Sequence, residues 1–303
     1  MFKFNFITEE NDRDGSKAEE EKVAETKTEI ETKTESKPVN KHDECHEIVP
    51  SKEQTERDYF APNLVATLNS ITFHEHKVHH VSIEDIIEKL AGQFDDISCA
   101  EENHSDLIAG IYEGGAKVWE CTETVGEYLT KTTDGTKCLI DDFRNSSVLD
   151  LGCGAGILGI LALQNGASVH FQDYNKTVLE HITIPNVLVN TKSVEKLQER
   201  CRFYSGDWTN YAEKTEDGEK FDFILTSETI YNVQNYDKII HIIKTKLKPT
   251  GVCYLAAKVH YFGVGGSLRQ FEQILLKEDI FETESAFKCN DNIGREILKI
   301  TFK

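Results

Sequence analysis

The sequence predicts an α/β fold, a mostly parallel sheet with helices on both faces, preceded by an acidic leader. Three observations carry this. From Ser147 onward, short apolar runs rich in β-branched and aromatic residues alternate with stretches of helical apolar spacing. The turn Gly152-Cys153-Gly154-Ala155-Gly156 joins a strand-like run to a helix-like one. The first 58 residues are a different material, a Glu/Lys/Thr/Ser mixture typified by Glu25-Thr26-Lys27-Thr28-Glu29.

In chain order, residues 1–58 carry too little apolar surface to offset the entropy of ordering and are expected to be a disordered acidic leader. Within it Phe2, Phe4 and Phe6 alternate, as a docking peptide or edge strand would; a chance cluster has equal weight. From Tyr59 the composition changes, and residues 59–303 read as one domain with an N-terminal helical extension. Ser82 is an N-cap candidate for a helix over Ile83–Leu90, and Glu123–Thr130 is a further helix. Strands are expected at Ser147–Leu151, Ser168–Gln172, Arg202–Ser205, Phe221–Ser227, Gly251–Lys258, Phe281–Phe287 and Arg295–Phe302. Helices are expected at Ile157–Gln164, Thr177–Asn190, Asn235–Leu247 and Ser267–Lys277. Strands that alternate with helices imply parallel pairing. No long helix separates the last two strands, which predicts an antiparallel hairpin at the end of the sheet.

Composition narrows the function. The formal net charge is −19, from 53 acidic and 34 basic residues, and both the leader and the domain share the excess. An acidic body does not suit a phosphate backbone, so direct nucleic-acid binding is not expected. A basic protein partner suits it better, although solubility alone is an equal account of the charge. The eight cysteines form no C-x-x-C pair, which argues for a reducing compartment and against a metal site or disulfide framework. No apolar run approaches the ~20 residues of a membrane span. A monomer of the cytoplasm and nucleus is the expectation.

The chemistry centres on Val148–Gly159. An apolar strand ends in Asp150, and a glycine turn and a helix follow. In open α/β sheets the ligand crevice lies at the carboxyl ends of the strands. A carboxylate just ahead of Gly152 suits S-adenosyl-L-methionine, whose ammonium must be held and which has no pyrophosphate. The pattern is ambiguous, because Gly154-Ala155-Gly156-Ile157-Leu158-Gly159 also satisfies the dinucleotide fingerprint, with Asp173 at the spacing of its ribose-binding acid. Tyr254 and Lys258 match the Y-x-x-x-K spacing of some dehydrogenases. On a strand rising ~3.3 Å per residue they would stand about 13 Å apart, so that match is discounted.

Three strand ends add to the site. Gly206-Asp207-Trp208 offers a carboxylate for an adenine amino group and an indole to pack on the purine, or else is an ordinary turn. Thr226-Ser227-Glu228-Thr229-Ile230-Tyr231-Asn232 gathers polar groups that are costly to leave idle in a crevice, though Ser227 or Thr229 could simply cap a helix. His260-Tyr261-Phe262-Gly263-Val264-Gly265-Gly266 is a shaped loop beside the same crevice, or a flexible connection.

Trp119-Glu120-Cys121-Thr122, Asp150–Gly156, Gln172-Asp173-Tyr174-Asn175, Thr226–Asn232 and His260–Gly266 occur together in this order. The set resembles the histidine protein methyltransferase family of seven-β-strand methyltransferases, over roughly residues 110–303. The resemblance implies a Rossmann-like sheet of order 3-2-1-4-5-7-6 and methyl transfer from S-adenosyl-L-methionine to a histidine ring nitrogen. The implied acceptor is a basic large-subunit ribosomal protein, the third in the standard series, modified at the tele nitrogen. Trp119, Glu120, Cys121 and Thr122 would border the cofactor. Asp150, Gly152, Gly154, Gln172, Asp173, Tyr174, Gly206, Asp207, Trp208 and Ser227 would complete its pocket. Asp207 stands where Glu is an alternative, and either carboxylate accepts a hydrogen bond. Glu228 is expected to accept the hydrogen of the non-attacking imidazole nitrogen, assisted by Asn232 or Tyr231. The competing readings are an NAD-dependent oxidoreductase, a non-catalytic assembly factor for a ribosomal protein, and a methyltransferase acting on a small imidazole compound.

Overall fold

The computed structural model describes residues 43–50, 68–82, 107–108, 110–133, 135, 137–215, 218–261, 263, 265–289 and 294–303. In chain order its strands are β1 (His46–Ile48), β2 (Leu68–Phe73), β3 (His76–Val81), β4 (Thr132–Thr133), β5 (Lys137–Cys138), β6 (Ser147–Leu151), β7 (Ser168–Asp173), β8 (Cys201–Ser205), β9 (Phe221–Ser227), β10 (Leu247–Lys258), β11 (Phe281–Cys289) and β12 (Arg295–Phe302). The principal helices are α1 (Glu120–Thr130), α2 (Ile157–Gln164), α3 (Ile184–Thr191), α4 (Val194–Arg200), α5 (Trp208–Lys214), α6 (Tyr236–Lys246) and α7 (Leu268–Leu276).

One eight-stranded sheet organises the molecule, in the order β1-β8-β7-β6-β9-β10-β12-β11. Strands β8, β7, β6, β9 and β10 are parallel. β12 runs antiparallel between β10 and β11, the terminal hairpin expected from the missing helix. Counted from β6, the seven strands read 3-2-1-4-5-7-6, and β1 is added outside them.

Period-two alternation sorts side chains to the two faces. Val148, Leu225, Tyr254, Ala256 and Ile297 join the cluster under α1, α2 and α3. Leu149, Leu151, Ile224, Leu255, Ala257 and Leu298 join the one under α6 and α7. Helix α2 is apolar on every side because the β2–β3 hairpin and α3 cover what the sheet does not. A π turn, Leu179–Thr183, leads into α3. Pro185 has no N–H to donate to the turn before it, and a widened turn absorbs that loss.

Three expectations change. The leader is not disordered throughout: residues 43–50 are described, and β1 pairs antiparallel with β8. That pairing uses backbone groups to cover an open sheet edge, which composition cannot reveal. Residues 1–42, including Phe2, Phe4 and Phe6, lie outside the described residues. Within the expected N-terminal extension the described residues form a β-hairpin, anchored by buried Phe73, Val78 and Val81; the helix expected at Ile83–Leu90 lies outside the described residues. Finally, Asp207-Trp208 opens a helix: the Asp207 side chain accepts from the Thr209 N–H and caps α5.

Candidate active site

The site is built first on the turn after β6. Gly154 has φ +49, and a Cβ there would lie 2.7 Å from the Gly115 carbonyl oxygen, so only glycine lets the two backbone segments meet. Asp150 is buried and its Oδ2 accepts the Gly159 N–H at 2.8 Å. Asp173 is also buried; its Oδ2 accepts the Gly154 N–H at 2.8 Å and its Oδ1 the Asn175 N–H at 3.1 Å. From the far side, Thr183 Oγ1 donates to the Gly154 carbonyl and Asn186 Nδ2 to that of Ala155. Two amides of the fingerprint, those of Gly154 and Gly159, are thus already satisfied by the protein's own carboxyl groups. Burial pushes the carboxyl of Asp150 up to about 8 and that of Asp173 up to about 6.

These residues floor a cavity of about 530 Å3 at the carboxyl ends of the parallel strands. Gln172, fully buried, lies behind the lining as a strut. Its Nε2 donates to the Gly206 carbonyl, and its Oε1 accepts from Trp208 Nε1 at 2.8 Å and from the Gly152 N–H at 3.4 Å. It therefore ties the turns after β6 and β8 and fixes the Trp208 ring. Asp207 lines the cavity, but its carboxylate also caps α5 and meets Lys238 Nζ at 2.6 Å. Tyr174 donates to the Gly110 carbonyl and to Asp43 Oδ1.

The opposite wall comes from α1 and the ends of β9 and β10. Trp119 Nε1 donates to the Gly114 carbonyl, which holds the indole in the cavity lining, with Lys117 Nζ 4.8 Å and Lys258 Nζ 5.4 Å from the ring centre. Thr122 Oγ1 and Ser227 Oγ share a hydrogen bond of 2.9 Å. Glu228 follows with φ +59, a left-handed conformation uncommon outside glycine, and its N–H donates to the Ala256 carbonyl. Its Oε1 is buried and accepts no hydrogen bond; Lys258 Nζ stands 3.6 Å away. Burial and then the Glu228 charge push the Cys121 thiol and the Tyr261 hydroxyl well above their ordinary values.

Of the catalytic and cofactor-binding residues expected from the sequence, all but Glu120, Cys121 and Gln172 line this cavity. Glu120 stands half-exposed at the start of α1, its Oε2 3.3 Å from Lys258 Nζ. Burial would raise its carboxyl, but its own backbone N–H and Lys258 outweigh that and lower it. Cys121 is buried in the core between the sheet and α1. Asn232 and Tyr231 are present but not beside Glu228 as hydrogen-bond partners. The Asn232 side chain accepts from the Gln234 N–H, and the Tyr231 hydroxyl donates to Glu113 Oε2. Neither Ser227 nor Thr229 caps a helix; Thr229 Oγ1 instead pairs with Thr226 Oγ1 at 2.7 Å.

Sequence reasoning missed Glu113, Lys238 and Asp43, and it set Lys258 aside. Glu113 Oε1 accepts the Gly110 N–H at 2.6 Å, and burial pushes its carboxyl up to about 7. Lys258 could have been found, since it ends a parallel strand at the crevice. Glu113 and Asp43 lie in irregular segments without a period to flag them.

A family model described as lysine methyltransferase matches residues 105–268. Among curated proteins, the histidine protein methyltransferase 1 homologue of Bos taurus is 40% identical over 231 residues, 68% of this chain and 60% of that protein. The homologue of Rattus norvegicus is 38% identical over 239 residues, 71% and 64% of the two chains. That of Dictyostelium discoideum is 40% identical over 201 residues, 66% and 61%. The chain thus spans about three fifths of the length of these relatives.

Proposed function

This chain belongs to the lysine methyltransferase family, and from that membership we propose that it is an S-adenosyl-L-methionine-dependent protein-histidine methyltransferase. The observation that carries the proposal is the buried Oε1 of Glu228 on the cavity wall, which accepts no hydrogen bond and has Lys258 Nζ as an ion-pair partner at 3.6 Å. A buried carboxylate oxygen without a donor is costly, and an imidazole N–H is a donor of the right kind. The names of the similar relatives point the same way.

The residues fit the cofactor. Asp150, Asp173 and Glu113 converge on the cavity and suit an ammonium and ribose hydroxyls. The Trp208 ring, fixed by Gln172, offers a flat surface for a purine. When bound, S-adenosyl-L-methionine supplies an electrophilic methyl on a sulfonium.

Neutral imidazole already has a ring-nitrogen lone pair at pH 7, its ordinary pKa being about 6.5. The enzyme therefore needs no strong base; it needs one tautomer and one orientation. Glu228, accepting from one ring nitrogen, leaves the other unprotonated and aimed at the donor. The same carboxylate then stabilises the imidazolium formed by transfer. Trp119, Thr122 and the His260–Tyr261 corner wall the acceptor side. Such positioning is worth several kcal/mol, on the order of the orientation term of two-substrate reactions.

A basic ribosomal protein is the proposed acceptor, because the chain's net charge of −19 favours a cationic partner. The test is incubation of the purified chain with labelled S-adenosyl-L-methionine and ribosomal proteins from cells lacking the enzyme, followed by mass spectrometry. Methylhistidine on one large-subunit protein is the expected result. Methyllysine would move the acceptor to the residue in the family's description. Cofactor binding without label would turn the reading to a binding module.

A further inference from the structure

We propose that residues 43–50 form a strap that completes the nucleoside end of the cofactor site, with Asp43 as a binding residue; the proposal rests on the cofactor reading given above. The segment reaches the cavity from outside the seven-stranded core. β1 pairs with β8 through His46–Ser205, Glu47–Tyr204 and Ile48–Phe203. Further along, Lys214 Nζ donates to the Cys45 carbonyl at 2.9 Å, Arg202 pairs with Glu47 at 2.7 Å, and Gln198 donates to the Pro50 carbonyl at 2.9 Å.

This edge strand delivers Asp43 to the point where the loops after β7 and β8 meet. Its carbonyl accepts the Asp207 N–H at 3.0 Å and Asn210 Nδ2 at 2.6 Å. Its Oδ1 accepts the Tyr174 hydroxyl at 2.9 Å, and the residue lines the cavity. Asp43 thereby clamps Tyr174 and Asp207, one from each loop, and adds an acceptor to a wall that faces a purine or ribose.

Gly206 supplies an independent observation. A Cβ there would lie 2.4 Å from the Glu44 carbonyl oxygen and 2.9 Å from Cys45 Cα, and its φ is +111. The loop after β8 has the one residue type that lets the strap's backbone lie on it. The loop and the strap are therefore shaped to one another.

Binding and strap closure must then be linked reciprocally. Calorimetric titration with S-adenosylhomocysteine tests this on the full chain, with the double variant His46→Pro/Glu47→Pro. Alternate residues of a strand point their N–H groups at its neighbour, so one of the two prolines removes a ladder donor. Affinity is expected to fall on the order of tenfold in the double variant and about threefold in Asp43→Ala, with far-UV circular dichroism unchanged. In the wild type, saturating S-adenosylhomocysteine should slow alkylation of the buried Cys45, read by mass spectrometry, an arm that needs no variant to fold. Equal affinities in wild type and variants, or Cys45 alkylation indifferent to the ligand, overturns the strap. Failure of the wild type to bind S-adenosylhomocysteine at all overturns the cofactor reading and the strap with it.

Discussion

Glu228 Oε1 lies 3.6 Å from Lys258 Nζ, outside hydrogen-bond reach, on a residue held at φ +59. A left-handed conformation costs a non-glycine residue about 1–2 kcal/mol, and here it aims a carboxylate at the cavity instead of into the ladder between β9 and β10. The ammonium stabilises the charge while leaving the oxygen available. That combination suits a group that must accept a proton-bearing nitrogen without giving up its charge.

Glu228→Gln keeps the shape and removes the charge. Turnover should fall by about 10²-fold or more, because the amide neither selects the tautomer nor stabilises the imidazolium. Affinity for S-adenosylhomocysteine should stay within about threefold, since the Asp150 and Asp173 side stays intact. Full turnover in this variant would remove Glu228 from the mechanism.

Lys258→Met strips the buried carboxylate of its nearest cation. The two side chains are 14% and 6% exposed, so solvent screens them little. A loss of about 3 kcal/mol in urea unfolding is expected, the cost of stranding one member of a buried pair. The double variant Glu228→Gln/Lys258→Met should cost less than the two singles together. Strict additivity would show that the pair is not coupled.

How far the sequence could be read follows from which interactions carry a period. Ser147–Leu151, Phe221–Ser227, Ile157–Gln164 and Arg295–Phe302 were legible to the residue, because burial leaves each of them rich in apolar and β-branched side chains between polar boundaries. The glycine turn and the strand ends were legible because glycine and buried polar residues are conspicuous there. Strand β1 was not, since it is held by backbone pairing and exposed ion pairs such as Arg202–Glu47. The β2–β3 hairpin was missed because His76–Val81 mixes histidines and a lysine with two valines. Asn190 and Asn186, two helical asparagines over a hundred residues away, anchor it through the His79 and Val81 N–H groups. Among the site residues, Cys121 lies in the core and off the cavity lining, because a motif gives order along the chain, not the side of the helix that faces the sheet.

The docking of that hairpin on α1 is itself testable. A Cβ on Gly126 would lie 2.5 Å from Phe73 Cε1 and 2.6 Å from its Cζ. Alanine favours a helix over glycine by about 1 kcal/mol, but overpacking a fully buried ring costs about 1–3 kcal/mol. Gly126→Ala should therefore lower the melting temperature. Adding Phe73→Leu, which deletes the two nearest of the three clashing ring atoms, should restore part of it. A single variant more stable than wild type would show that the ring has room to move.

Three carboxyls of the cavity, Asp150 and Asp173 buried and Glu113 half-buried, predict how cofactor binding depends on pH. Burial pushes Asp173 up to about 6, Glu113 up to about 7 and Asp150 up to about 8. Each is thus raised above its unfolded value, so the folded chain holds these protons more tightly. Without ligand, their contribution to stability falls as pH rises from about 4 to about 8. A cationic ligand reverses the preference, because an ammonium favours the ionised form of each acid. Binding of S-adenosyl-L-methionine should then release protons, and its affinity should climb from pH 6 to about 7.5. Above about 8 the climb should stop, as the carboxyls are ionised and an α-amino group begins to lose its own charge. Calorimetry in two buffers of different ionisation enthalpy reads the released protons directly. Proton uptake on binding, or affinity that falls as pH rises from 6 to 7.5, would mean that these carboxyls do not face the ligand's positive charge.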